Sequence, residues 1–125
     1  MTDRPLHTRR ILVVEDEYLL ANDLEMELLD AGAIVLGPCG TVETAIEFIR
    51  AEPQIDGAIL DVNLRGEMSF PVADLLNERR VPFVLTTGYD ASIIPPRFAQ
   101  SVRCEKPISM VKIVEAIERL IQAKE

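Results

Sequence analysis

The chain has 125 residues, 48% hydrophobic and 27% charged, with a formal net charge of −8. That length holds one domain with a real core but not two. The negative balance argues against nucleic acid or an anionic membrane as a direct partner and leaves a cation or a basic protein surface open.

The first ten residues are polar, with no apolar stretch behind them long enough for a secretory signal, and no run approaches the ~18 residues that cross a bilayer. A cytoplasmic protein is expected, with a flexible tail over residues 1–9 that contains the sole histidine, His7. Ile11-Leu12-Val13-Val14 stops abruptly at Glu15-Asp16-Glu17, which predicts a buried first strand with acids at its carboxyl end. From Tyr18 to Ala31, Leu20, Leu24, Leu28 and Ala31 recur at helical spacing, and Gly32 is the stop. Ala33 to Leu36 reads as a second strand closed by Gly37-Pro38. Thr41 then caps a helix striped by Ala45, Ile46 and Ile49 that ends before Pro53.

Asp56-Gly57-Ala58-Ile59-Leu60-Asp61-Val62-Asn63-Leu64 predicts a strand buried on both faces, with Asp61 where it stops. Arg65-Gly66-Glu67 reads as a loop, and Phe70 to Arg79 as a third helix with Pro71 in its first turn. Pro82 to Thr87 is a fourth strand that switches from apolar to hydroxyl at its end. Between Asp90 and Gln100, Pro95-Pro96 interrupts any helical pattern, so the fourth helix is expected to be short, displaced or absent. Val102 to Glu105 is a short fifth strand before Lys106-Pro107. Ser109 caps a last helix with Met110, Ile113, Val114, Ile117, Leu120 and Ile121 on one face.

Five alternations of strand and helix with short connections predict a doubly wound α/β fold, a parallel sheet with helices on both faces. Five strands favour the flavodoxin-like order 2-1-3-4-5. That order sets Cys39 and Cys104 near opposite edges, too far apart for the ~7 Å Cα limit of a disulfide, so two free thiols are expected.

The same order gathers Glu15, Asp16, Asp61, Thr87 and Lys106 at the carboxyl ends of the strands, where ligands bind in open α/β sheets. Two carboxylates 4 Å apart repel by ~4 kcal/mol at an effective dielectric of 20, so such a cluster is tolerable around a cation. All-oxygen ligands favour Mg²⁺. A hydroxyl and an ammonium opposite the acids suit a phosphoryl group, and Asp61 is the carboxylate placed to attack phosphorus.

Val14-Glu15-Asp16-Glu17, Leu60-Asp61-Val62-Asn63-Leu64-Arg65-Gly66, Thr86-Thr87-Gly88-Tyr89 and Glu105-Lys106-Pro107 together resemble the receiver domain of two-component response regulators, over nearly the whole chain. The resemblance implies that Asp61 is the phosphoacceptor, supplied by a sensor histidine kinase or phosphotransfer protein. It implies that Asp16 ligates Mg²⁺ directly, Glu15 mainly through water, and Asn63 by its backbone carbonyl, leaving that side chain free to vary. Thr87 would be the switch hydroxyl, chosen over Thr86 because a small residue, Gly88, follows it. Lys106 would pair with the acceptor and then the phosphate, across a cis bond to Pro107. Tyr89 would shield or admit the water that hydrolyses the acyl phosphate, and the segment from Gly88 to Arg103 would carry the readout.

Two positions depart from the family pattern: Arg103 stands where an aromatic is common, and Ile108 replaces a common Phe. Thr-Gly-Tyr, the prolines beyond it and Glu-Lys-Pro resemble the subset of receivers with an F-A-T-G-type motif, only partly matched because Leu85 and Thr86 fill its first two positions.

The expected product is a single receiver domain over 1–125, a monomer or weak homodimer acting on a downstream protein, with no catalysis beyond its own phosphotransfer and dephosphorylation. A start at Met1 and a close after the last helix favour a stand-alone protein over a receiver fragment of a larger regulator. A haloacid-dehalogenase-like phosphohydrolase would need an acid two residues past Asp61, where Asn63 stands. A flavodoxin would need a hydroxyl- and glycine-rich loop where the chain has Glu15-Asp16-Glu17.

Overall fold

The computed structural model describes residues 4–88 and 91–125. Its main sheet has five parallel strands: β1 (Arg10–Val14), β2 (Ile34–Cys39), β3 (Gly57–Asp61), β6 (Phe83–Thr87) and β7 (Val102–Glu105). A two-residue hairpin, β4 (Asn63–Leu64) with β5 (Glu67–Met68), stands apart. The order β2-β1-β3-β6-β7 is the expected flavodoxin-like arrangement, and it places Cys39 and Cys104, both free, on the two outer strands.

Strand alternation sorts the core into two layers. Ile11, Val13, Ile59 and Val84 pack under α1 (Tyr18–Asp30) and α4 (Met110–Lys124) through Leu24, Leu28, Ile113 and Ile117. Leu12, Val14, Leu60 and Leu85 face α2 (Val42–Ala51) and α3 (Phe70–Glu78) through Ala45, Ile49, Val72 and Leu76. Burial on both faces is why β1 and β3 read as unbroken apolar runs. Thr41 closes a reciprocal cap with Thr44 at the start of α2, and the Ser109 hydroxyl accepts from the Lys112 N–H at the start of α4.

Three expectations need correction. Residues 4–9, expected as a flexible tail, form turns docked on the α1–β2 junction: Leu6 is fully buried, its N–H donates to the Ala31 carbonyl, and that of Thr8 donates to Gly32. A single apolar residue among polar ones gives no periodic signal, yet it fills a site in the α1/α4 layer. Second, β2 does not stop at Leu36 but runs on to Cys39 through an irregularity at Gly37-Pro38. Gly37 takes φ +87, and Pro38 is tolerated because β2 is an edge strand. The continuation lets the Cys39 carbonyl accept from the Glu15 N–H at 2.9 Å.

Third, Arg65-Gly66 is the tip of a hairpin rather than an open loop, with both residues at positive φ (+54 and +92) as a type I′ turn requires. In place of a regular fourth helix the described residues show two short 3₁₀ turns, Ala91–Ile93 and Pro96–Phe98. Phe98, 1% exposed, anchors the second turn against Phe70 and Phe83 at centroid distances of 5.5 and 6.4 Å. No helix among the described residues is long and apolar enough to cross a membrane.

Candidate functional site at the carboxyl ends of the strands

Each strand of the central trio ends in chemistry. Glu15 and Asp16 follow β1, Asp61 closes β3, and Thr87 closes β6. Lys106 follows β7, where its N–H donates to the Thr87 carbonyl at 2.8 Å and so sets the side chain beside β6. The ends surround a crevice of about 530 Å³ lined by Asp16, Asp61, Asn63, Arg65, Thr87, Gly88 and Lys106, among others. The crevice reaches Thr87 and not Thr86, whose hydroxyl is buried without a hydrogen-bond partner.

Asp61 is 4% exposed and held from several directions. Its Oδ2 accepts from Lys106 Nζ at 2.7 Å and its Oδ1 from the Asn63 N–H at 3.0 Å. Its backbone carbonyl accepts from Ser69 Oγ at 2.5 Å, and the N–H of Val62 donates to Thr86. Carboxylate oxygens of Glu15, Asp16 and Asp61 all lie within 4.8 Å of one another. Glu15 is nearly sealed off: Oε2 accepts from the Glu17 N–H, while Oε1 has no hydrogen-bond partner and sits 3.6 Å from Lys106 Nζ. Burial, and after it the Asp61 charge, push the Glu15 carboxyl up to about 7. Burial acts to lower the Lys106 ammonium, but the hydrogen bond and charge of Asp61, with Glu15 and Glu17 behind them, leave it raised.

Three crowded carboxylates, one with an unpartnered buried oxygen and none grouped with a His or Cys among the described residues, form a donor set that suits a hard divalent cation. One ammonium among three acids leaves excess negative charge for such an ion to neutralise.

Of the residues singled out in the sequence, Glu15, Asp16, Asp61, Asn63, Thr87, Gly88 and Lys106 come together here, and the Lys106–Pro107 bond is cis. Arg103 does not join them; it is exposed on the outer strand β7, in register with Leu85. Tyr89 lies outside the described residues. The Asn63 side chain, expected to be free to vary, is engaged: its Oδ1 accepts from the Gly66 N–H at 2.6 Å and pins the hairpin. Ser69 was not singled out. It stands at the N-cap of α3, yet its hydroxyl makes no cap bond and holds the Asp61 backbone instead. Its position just ahead of Phe70-Pro71 marks a helix start, which was the only signal available.

Fold and site together define a flavodoxin-like α/β domain with an acidic, lysine-bearing cleft at its sheet's carboxyl edge. No protein-family model matches the chain. In structure it is similar to a response regulator receiver protein from Sinorhizobium medicae WSM419, with 29% identity and a TM-score of 0.82 over 94% of this chain and 98% of that one. It is also similar to SdrG from Sphingomonas melonis Fr1, with 39% identity and a TM-score of 0.74 over 94% and 98%. SdrG in its BeF3-activated conformation matches at 36% identity and a TM-score of 0.75. In sequence it is 27% identical over 114 residues to the transcriptional regulatory protein PdtaR of Mycobacterium tuberculosis, covering 88% of this chain and 55% of that protein. The chain thus spans about half the length of that curated relative. It belongs to the receiver domains of response regulators.

Proposed function

We propose that this receiver accepts a phosphoryl group on Asp61 from a phosphohistidine of a sensor histidine kinase or phosphotransfer protein, and passes the signal to a downstream protein. The observation that carries the reading is the setting of Asp61: a buried carboxylate within 4.8 Å of two others and 2.7 Å from an ammonium. Mg²⁺ would be held by Glu15, Asp16, Asp61 and the Asn63 carbonyl, and when bound would offset the charge of the transferring phosphoryl group. An Asp61 carboxylate oxygen forms the new P–O bond as the P–N bond of the donor breaks, and the imidazole nitrogen keeps the electron pair. The Asn63 N–H and Lys106 Nζ fix the orientation of the nucleophile beforehand. Afterwards Lys106 pairs with a phosphoryl oxygen and the Thr87 hydroxyl donates to another.

One hydrogen bond to a charged group supplies about 1.5–3 kcal/mol. Moving a switch from 1:99 to 99:1 takes about 5.5 kcal/mol, so Thr87 and Lys106 must act together. The readout is the stretch between Gly88 and Arg103, whose described residues include two short 3₁₀ turns held by Ile94 and Phe98. The protein is a cytoplasmic signalling module, monomeric or weakly dimeric, without direct contact to nucleic acid. Its chemistry is limited to its own phosphorylation and dephosphorylation. A phosphohydrolase acting on external substrates would need an acid where Asn63 is tied into the hairpin.

Incubation with acetyl phosphate and Mg²⁺, followed by intact mass, tests the proposal. Wild type should gain one acid-labile or hydroxylamine-labile phosphoryl group and Asp61→Asn none. An adduct retained by Asp61→Asn would remove Asp61 from its role.

A further inference from the structure

The hairpin that overhangs the crevice carries a residue that its own backbone does not favour. In a type I′ turn both central positions take positive φ, where Asn, Asp and Gly are the usual occupants; here the first is Arg65 at φ +54. The turn does not require arginine, so its presence points to the side chain. Arg65 lines the crevice, and its Nε lies 3.7 Å from an Asp16 oxygen although the side chain is 79% exposed. Asp16 in turn offers an oxygen within 4.8 Å of one on Asp61, so the guanidinium stands one side chain away from the acceptor. The turn beneath it is fixed on the acceptor side, because Asn63 both donates to Asp61 and accepts from Gly66.

We propose that Arg65 is a second phosphoryl-binding cation, closing over the crevice from the hairpin while Lys106 acts from the end of β7. The inference rests on the receiver reading above. Charge supports it. Glu15, Asp16 and Asp61 bring three negative charges, matched by Lys106 and one divalent cation. A phosphoryl group on Asp61 replaces one of those negative charges with two, and Arg65, already 3.7 Å from Asp16, is the cation at hand to offset the added charge. A guanidinium also presents a planar fork of donors that fits two phosphoryl oxygens at once, which an ammonium does not. Its exposure lets it swing from Asp16 to the incoming group without breaking a packed contact.

The test uses Arg65→Asn, which removes the charge and leaves the turn with a residue it favours, and Arg65→Lys, which keeps a charge without the fork. Mg²⁺ affinity and, with Mg²⁺ present, affinity for trifluoroberyllate are measured by calorimetry, and the lifetime of the aspartyl phosphate by loss of label. Arg65→Asn should weaken trifluoroberyllate binding about three- to tenfold, a charge-assisted contact discounted for exposure, while Mg²⁺ alone binds as tightly as before or more so. Arg65→Lys should fall between. Unchanged trifluoroberyllate affinity overturns the inference, as does a loss of Mg²⁺ affinity large enough to account for the whole effect. Wild type that binds no trifluoroberyllate at all would instead overturn the receiver reading.

Discussion

Glu15→Gln should stabilise the protein while disabling the proposed cation site. The Glu15 side chain is 1% exposed, and one of its oxygens has no hydrogen-bond partner. At pH 8 it carries its charge, since burial and then Asp61 push its carboxyl up only to about 7. At the 4.8 Å limit of their separation, its repulsion with Asp61 and with Asp16 is about 3.5 kcal/mol each at an effective dielectric of 20. Its attraction to Lys106 at 3.6 Å is about 4.6 kcal/mol on the same basis. Neutralising Glu15 relieves two repulsions, forfeits the attraction to Lys106 and weakens the hydrogen bond from the Glu17 N–H, so the net gain is at most about 2 kcal/mol before the lifted desolvation cost is counted. Urea unfolding followed by circular dichroism, at pH 8 with a chelator, should show a gain of about 1–3 kcal/mol. Adding Mg²⁺ should stabilise wild type by mass action and the variant much less. A variant destabilised by about 1 kcal/mol or more under chelation would refute the reasoning, because the attractions to Lys106 and the Glu17 N–H would then outweigh both repulsions.

Two further substitutions probe the supports of the site. Gly57→Ala places a Cβ 3.0 and 3.1 Å from Ile117 and 3.2 Å from Ile121 beneath α4, so a loss of about 1–3 kcal/mol is expected in urea unfolding, partly recovered by adding Ile117→Val. An undiminished midpoint would mean that α4 shifts freely. Ser69→Ala leaves the Asp61 carbonyl without its 2.5 Å partner, at a cost of about 1–3 kcal/mol. It should also slow phosphoryl uptake from acetyl phosphate by several-fold while leaving Mg²⁺ affinity close to wild type; an unchanged rate would show that Asp61 does not depend on that anchor.

The carboxylates and the threonines of the site were readable in the sequence because each is a local event at the end of an apolar run: Val14 before Glu15, Leu60 before Asp61, Leu85 before the two threonines. Parallel strands need only alternate with helices for their carboxyl ends to share one edge, so these three readings and one topology rule locate the cleft. What escaped has the opposite character. Leu6 gains its place from a cavity that α1, α4 and the sheet build together, and nothing adjacent to it in the chain announces that. Ser69 occupies a capping position but spends its hydroxyl on Asp61, eight residues earlier, and spacing cannot distinguish those uses. Gly37-Pro38 reads as a strand end because proline breaks most strands; only the edge location of β2 permits the strand to continue.

The hairpin from Asn63 to Met68 shows most clearly why local reading stops where it does. Arg-Gly at its tip is a poor match to the Asn-Gly or Asp-Gly pattern that announces a type I′ turn, so sequence alone reads a loop. The turn forms because Asn63 supplies from outside the tip what the tip lacks, accepting from Gly66 while its own N–H holds Asp61. A position freed in this way from turn chemistry can carry a cation at the mouth of the cleft. The local rule fails beside Asp61, the proposed acceptor, where consistency between sequence and backbone is expected to yield to function. The cost of the positive φ at Arg65, of order 1–3 kcal/mol, is borne by a segment too short to add much stability of its own.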